Sequence, residues 1–107
     1  MPGPRNADEA LTWIQEAVRA GRYVPSVHFY DRMAERRIDI LDVFHAIDAA
    51  TACVEYVRGG GPRNGGTCWR VTGTDLDETQ EVAVGVEAFL DKKRRRCVFC
   101  TVFKLGE

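Results

Sequence analysis

The spacing of apolar residues changes once in this chain, close to Thr51, and that change sets the fold class. Before it, apolar residues recur every three or four positions, which is the period of a helix with one buried face. After it, apolar and polar residues alternate, which is the period of a strand that buries one face. Helices followed by strands predict an α+β domain.

Three helices are predicted before Thr51, each beginning at a residue that caps helices well. Asn6 precedes a helix over residues 8–20, Ser26 begins the second helix, and Asp39 begins a third that runs to about Ala50. The apolar stripes are Leu11, Ile14 and Val18 in the first helix and Leu41, Phe44 and Ile47 in the third. The second helix allows two apolar sides, either Val27, Tyr30 and Ala34 or Phe29 and Met33.

Four strands are predicted after Thr51, over residues 52–58, 67–73, 81–90 and 97–105. They are joined by a glycine-rich loop (59–66), a short turn (74–78) and a charged turn (91–96). The alternation places Trp69 and Val71 on one face of the second strand. The prediction is a four-stranded antiparallel sheet in a single domain over residues 8–107, after a flexible N-terminus over residues 1–7.

Composition limits the classes of protein to which this chain can belong and the compartment expected for it. A net charge of −1 over 107 residues argues against a protein that coats nucleic acid through broad phosphate neutralisation, but it allows a local basic site. No apolar run approaches the ~20 residues of a membrane span, and no signal peptide opens the chain, so a cytoplasmic location without membrane contact is expected.

Four cysteines suggest free thiols rather than disulfides in such a compartment. Cys97 and Cys100 resemble half of a zinc site, but residues three apart on a strand face opposite sides of the sheet. Neither a metal nor another cofactor is therefore predicted.

The second predicted helix contains the main candidate residues for binding and catalysis. His28, Arg32 and Arg36 follow at intervals of four, so they project from one helix face. Two guanidinium groups beside an imidazole suit phosphate binding and proton transfer at neutral pH. The simpler alternative is a solvated helix face.

Two other basic or glycine-rich segments allow a role at a ligand. The loop at 59–66 lacks the Gly-Lys-Ser/Thr of a P-loop, so it predicts a mobile hairpin tip that touches a ligand through Arg63. The run Lys92–Arg96 is typical of a solvated turn, and an RNA-facing patch is the alternative.

The motif Ser26-x-His28-x3-Arg32-Met33-x-Glu35-Arg36-x-Ile38, followed by Asp42-Val43 and Ala46-Ile47, resembles the family called domain of unknown function 4258. Arg70-Val71 and Thr101-Val102 extend the resemblance, which covers about residues 24–104. That family is grouped with the RelE/ParE and MqsR-like toxins, which are compact α+β domains. The resemblance implies a RelE-like fold with an RNA-cleaving or ribosome-associated site.

The expected function is a toxin-like, metal-independent RNA endonuclease of the mRNA interferase class. The ribose 2′-hydroxyl would attack the adjacent phosphate, with His28 as acid or base and cations over the phosphate. The candidate catalytic residues are His28, Arg32, Arg70 and Lys104, and the candidate RNA-binding residues are Arg36, Arg63 and Thr101. RelE-like toxins tend to be basic, whereas this chain is slightly acidic.

Two other functions fit the same residues. One is a non-catalytic module that binds RNA or an acidic protein with the basic row, which is His28, Arg32 and Arg36. The other is a ParE-like toxin that blocks a protein target. RNA is the expected partner. An antitoxin and a second copy of the chain are further candidates, because an exposed edge strand can accept a partner's strand.

Overall fold

Capped helices make up the first half of the computed structural model, which describes residues 3–106. The three helices are α1 (Ala7–Arg19), α2 (Val27–Arg36) and α3 (Ile40–Ala49). The side chains of Asn6, Ser26 and Asp39 each accept a backbone N–H from the first turn, at 2.9, 3.1 and 2.8 Å. The three predicted caps are thus confirmed. No helix in the described range is long and apolar enough to cross a membrane.

The sheet has five strands, so the predicted four-stranded antiparallel sheet is wrong in number and direction. The strands are β1 (Tyr23–Pro25), β2 (Cys53–Glu55), β3 (Thr67–Thr74), β4 (Glu81–Asp91) and β5 (Arg94–Lys104), in the order β1-β5-β4-β3-β2. The additional strand, β1, pairs parallel with β5. Three residues that end at a proline are too short to show alternation, so the sequence signal was absent.

The turn between β4 and β5 is shorter than the predicted charged turn over residues 91–96. Only Lys92 and Lys93 turn the chain, with φ angles of 51° and 67°, and Arg94 already belongs to β5. Arg95 lies over the Trp13 ring at 4.9 Å and forms an ion pair with Glu16 at 2.8 Å. Part of the basic run therefore packs against α1 instead of lying in a solvated turn.

The core lies between one face of the sheet and the helices. Trp69 and Val71 point into it, as predicted from their alternation. In α2, Phe29 is buried whereas Val27 is 80% exposed, which settles the choice between the two apolar sides. The predicted stripe of α3 is wrong at Leu41, which is exposed because the helix buries Val43, Ala46 and Ile47 instead.

A bulge in β5 decides which residues face away from the core. Val84 pairs with Val102 and Val86 with Phe99, so three steps along β5 match two steps along β4. The additional residue lets Phe99 and Val102 both enter the core. Cys97 also lies in the core and Cys100 lines the opposite face, as predicted for the two thiols.

The segment before α1 packs on the sheet over the residues that are described. Gly3 and Pro4 are buried, and the Thr67 hydroxyl donates to the Pro4 carbonyl at 3.2 Å. The predicted flexibility of residues 1–7 stays a prediction for Met1 and Pro2, which lie outside the described residues.

The substitution Gly73→Ala tests how closely α3 packs on the sheet. A Cβ at Gly73 would overlap the backbone carbonyl of Ala46, whereas a Cβ at Gly59 would meet no atom within 4 Å. We expect Gly73→Ala to lower the free energy of unfolding by about 3 kcal/mol, the upper end of overpacking costs. Urea denaturation measures this, with Gly59→Ala as the matched control. Equal stability of the two variants would contradict the close packing of α3.

Candidate functional site

A groove of about 810 Å³ lies between α2 and the chain that follows β2, with β5 at its floor. The face of α2 that carries the predicted basic row forms one wall, and residues 56–59 with Arg63 form the other. We call it the arginine groove, because Arg32, Arg36, Arg58 and Arg63 line it together with His28. Such a concentration of guanidinium groups is suited to binding phosphate.

The α2 wall is held in place by its own hydrogen bonds. Arg32 donates from Nε to His28 Nε2 at 3.2 Å and forms an ion pair with Glu35 at 2.7 Å. Arg36 donates from Nη1 to the Val102 carbonyl at 2.6 Å, which ties the end of α2 to β5. Because His28 Nε2 accepts this hydrogen bond, the nitrogen is unprotonated in this arrangement, and its lone pair becomes available to another proton when Arg32 turns away.

The opposite wall depends on Glu87 of β4, whose side chain is completely buried. Its two carboxylate oxygens accept from the backbone N–H groups of Arg63, Asn64 and Gly66 at 3.0, 2.8 and 3.2 Å. The side-chain amide of Asn64 also donates to Glu87 at 3.1 Å. Arg58 forms an ion pair with Glu87 at 3.3 Å. Glu87 therefore shapes the glycine-rich loop from beneath.

Sequence reasoning missed Glu87 and Arg58. Glu87 is the one charged residue within residues 82–90, a stretch otherwise made of apolar side chains and glycine. Since a buried carboxylate needs donors, a loop rich in glycine that also holds Asn64 was the available signal. The pairing itself spans 21 to 29 positions along the chain and cannot be deduced from local spacing.

Tyr56 belongs to the wall opposite α2, and its side chain lies over Gly85 of β4. Its hydroxyl is buried and makes no hydrogen bond with an oxygen or nitrogen of the described residues, and the Cys100 thiol interacts with it. Burial, with the neighbouring Cys100 and Cys68, raises the pKa of Tyr56 well above its usual range. The hydroxyl thus stays a hydrogen-bond donor at neutral pH.

The thiols near the groove also keep their protons. Burial, reinforced by Cys100, raises the pKa of Cys68 to about 11. Burial likewise raises the pKa of Cys100, although the nearby Arg58 opposes the change. A thiol of this kind is a weak nucleophile at neutral pH, because the thiolate is the reactive form. Within the described lining of the groove, His28 is the side chain whose type suits proton exchange near neutrality.

The predicted site residues divide into three groups. His28, Arg32, Arg36, Arg63 and Thr101 all line the arginine groove. Arg70 lies instead in a smaller neighbouring pocket, which shares Tyr56, Thr101 and Phe103 with the groove. Lys104 pairs with Val82 two residues after the buried Val102, so strand alternation places it on the face away from Thr101 and Phe103. The fold does not bring Lys104 into the groove.

The described residues contain no group of three histidine, cysteine, aspartate or glutamate side chains placed to hold a metal ion. His45 does not line this groove, and its Nδ1 hydrogen-bonds the Thr74 carbonyl at 2.9 Å. Comparison with protein-family models, with curated proteins and with solved structures finds no match.

Replacing the buried carboxylate tests whether Glu87 organises the groove wall. Glu87→Gln would leave Arg58 without its anion, and breaking a buried ion pair in this way costs about 3–5 kcal/mol. We also expect faster amide hydrogen exchange at Arg63, Asn64 and Gly66. The control is Glu81→Gln, an exposed glutamate of the same strand. Unchanged exchange at the three amides would contradict this role.

The buried thiols predict a loss of stability in alkali. Burial raises the pKa of Cys53 and Cys97 to about 11 and about 12, above the ordinary value of 9.0. The unfolded chain releases these protons above about pH 9 while the folded chain retains them, so the free energy of unfolding falls as pH rises. Urea denaturation under reductant on both sides of pH 9 measures the slope. Cys97→Ala should make it shallower, and an identical slope in this variant would contradict the assignment.

Proposed function

We propose that the chain is a toxin-like, metal-independent RNA endonuclease that uses the arginine groove. The observation that supports this most directly is the pairing of His28 Nε2 with Arg32, within a groove that Arg36, Arg58 and Arg63 also line. A proton acceptor surrounded by cations matches the needs of phosphodiester cleavage at RNA. The resemblance to the RelE-like toxins points to the same chemistry.

The proposed reaction begins at the ribose. His28 takes the proton of the 2′-hydroxyl, whose oxygen forms a bond to phosphorus while the bond to the 5′-oxygen breaks. The products are a 2′,3′-cyclic phosphate and a 5′-hydroxyl, and the departing oxygen takes its proton from water. Arg32 moves from His28 to the phosphate, and Arg36 with Arg63 neutralises the charge of the transition state. Tyr56 and Cys68 keep their protons at neutral pH, so neither competes with His28 as the base.

A binding module is the second candidate, and it rests on a different observation. Val27 and Val57 stand on opposite walls of the groove and are 80% and 96% exposed. Apolar side chains beside arginines are typical of surfaces that hold a partner. In this version the groove binds RNA without cleavage, or it binds a protein target, as a ParE-like toxin does.

Partners and location follow from the proposal. A toxin of this class would act on RNA in the cytoplasm and would be neutralised by an antitoxin protein. β2 is the better edge for an antitoxin strand or a second copy, because β1 ends at Pro25, which lacks a backbone N–H.

An RNA cleavage assay in the presence of a chelator tests the catalytic proposal. We expect His28→Ala to slow cleavage by about 100-fold or more, as removal of an acid–base group does. The matched control is His45→Ala, which removes the histidine outside the groove. Fluorescence anisotropy with labelled RNA should show that His28→Ala still binds. Binding without cleavage by the folded wild type, with and without ribosomes, would favour the binding module and refute the nuclease.

A further inference from the structure

A second pocket of about 150 Å³ opens beside the arginine groove, on the sheet face that the helices leave uncovered. Tyr56, Thr101 and Phe103 line both cavities, and Arg70 with Gly85 completes the smaller one. A molecule in the groove could therefore place one of its parts in this pocket. The shared residues make the two cavities neighbouring subsites of one surface.

The polar groups of this pocket lack strong partners within the described part of the protein. The Arg70 side chain makes no hydrogen bond or ion pair among the residues that the structure describes, whereas Arg32, Arg36 and Arg58 each contact a protein acceptor. The Tyr56 hydroxyl is buried without an oxygen or nitrogen partner in the same range. The Cys100 thiol that interacts with this hydroxyl is a weak acceptor, so a ligand oxygen would be a stronger partner.

Gly85 makes room for two of the side chains that line the pocket. A Cβ at this position would lie 2.8 Å from both the Tyr56 hydroxyl oxygen and Thr101 Cγ2. Neither approach is compatible with ordinary van der Waals contact, so a side chain at Gly85 would displace Tyr56 and Thr101. Glycine here lets the Tyr56 and Thr101 side chains lie directly against β4.

We propose that this pocket holds one unpaired RNA base next to the phosphate in the arginine groove, and that it prefers guanine. This inference rests on the proposed function. An unstacked base binds by stacking on an aromatic ring and by hydrogen bonds along its edge. Guanine presents two adjacent acceptors, N7 and O6, which match the parallel donors of an arginine such as Arg70.

The other bases fit this donor set less well. Adenine places an amino group beside N7, so its edge would direct a donor at Arg70, and cytosine likewise presents an amino group there. Uracil presents one acceptor, O4, where guanine presents two. The Tyr56 hydroxyl, which keeps its proton, adds a further donor. A pocket that offers donors discriminates against a base that cannot accept from them, because the buried Tyr56 hydroxyl is then left without an oxygen or nitrogen acceptor.

Calorimetric titration with the four nucleoside 3′-monophosphates tests the preference without requiring cleavage. We expect guanosine 3′-monophosphate to bind at least about fivefold more tightly than the other three, the lower end of discrimination by a bidentate contact. Arg70→Ala should abolish the preference, and Gly85→Ala should do so without removing a charge. Arg94→Ala, an exposed arginine on β5, is the matched control.

The titration tests the base pocket, and together with the cleavage assay it distinguishes failure of the pocket from failure of the nuclease. Equal affinities for the four nucleotides, no binding at all, or a preference that survives in a folded Arg70→Ala variant would overturn the base pocket. A guanosine preference in a protein that cleaves no RNA would leave the pocket standing and refute the nuclease. Inorganic phosphate, as a probe of the groove alone, should bind equally to the wild type and to Arg70→Ala.

Discussion

The buried carboxylate of Glu87 is the interaction on which the arrangement of the site depends. A buried carboxylate is stable only when hydrogen-bond donors surround it. Glu87 accepts from three backbone N–H groups and the Asn64 amide, and it pairs with Arg58. The glycine-rich loop must therefore follow one path, back towards β4. That path brings Arg58 and Arg63 to the wall opposite α2.

The α2 wall is attached to the same part of the sheet. Phe29 packs against Phe99 with ring centroids 5.3 Å apart, and Arg36 donates to the Val102 carbonyl. The bulge in β5 makes both contacts possible, because it turns Phe99 and Val102 into the core while Thr101 faces the groove. Both walls are thus positioned by the paired strands β4 and β5, so the separation between the cations depends on this hairpin.

The electrostatics of the groove separate binding from proton transfer. The guanidinium groups stay charged at any working pH, and burial keeps the protons on Tyr56, Cys68 and Cys100. His28 is then the residue type left for proton exchange among the described residues of the lining. In the proposed function, the arginines bind the phosphate and one imidazole exchanges the proton. This is why the nuclease and the binding module differ by the role of a single residue.

The sequence by itself determined the three caps, the extent of β3 and β4 and the shared face of His28, Arg32 and Arg36, since each depends on residues within about four positions or on alternation along one strand. Only the tertiary structure decided the rest. Short β1 pairs with a strand more than 70 residues away, as Tyr23 with Cys97 shows. Glu87 finds its donors in a distant loop, Arg70 falls in a separate pocket, and Lys104 turns away from the groove. Such contacts follow from strand order and register, which local periodicity does not encode.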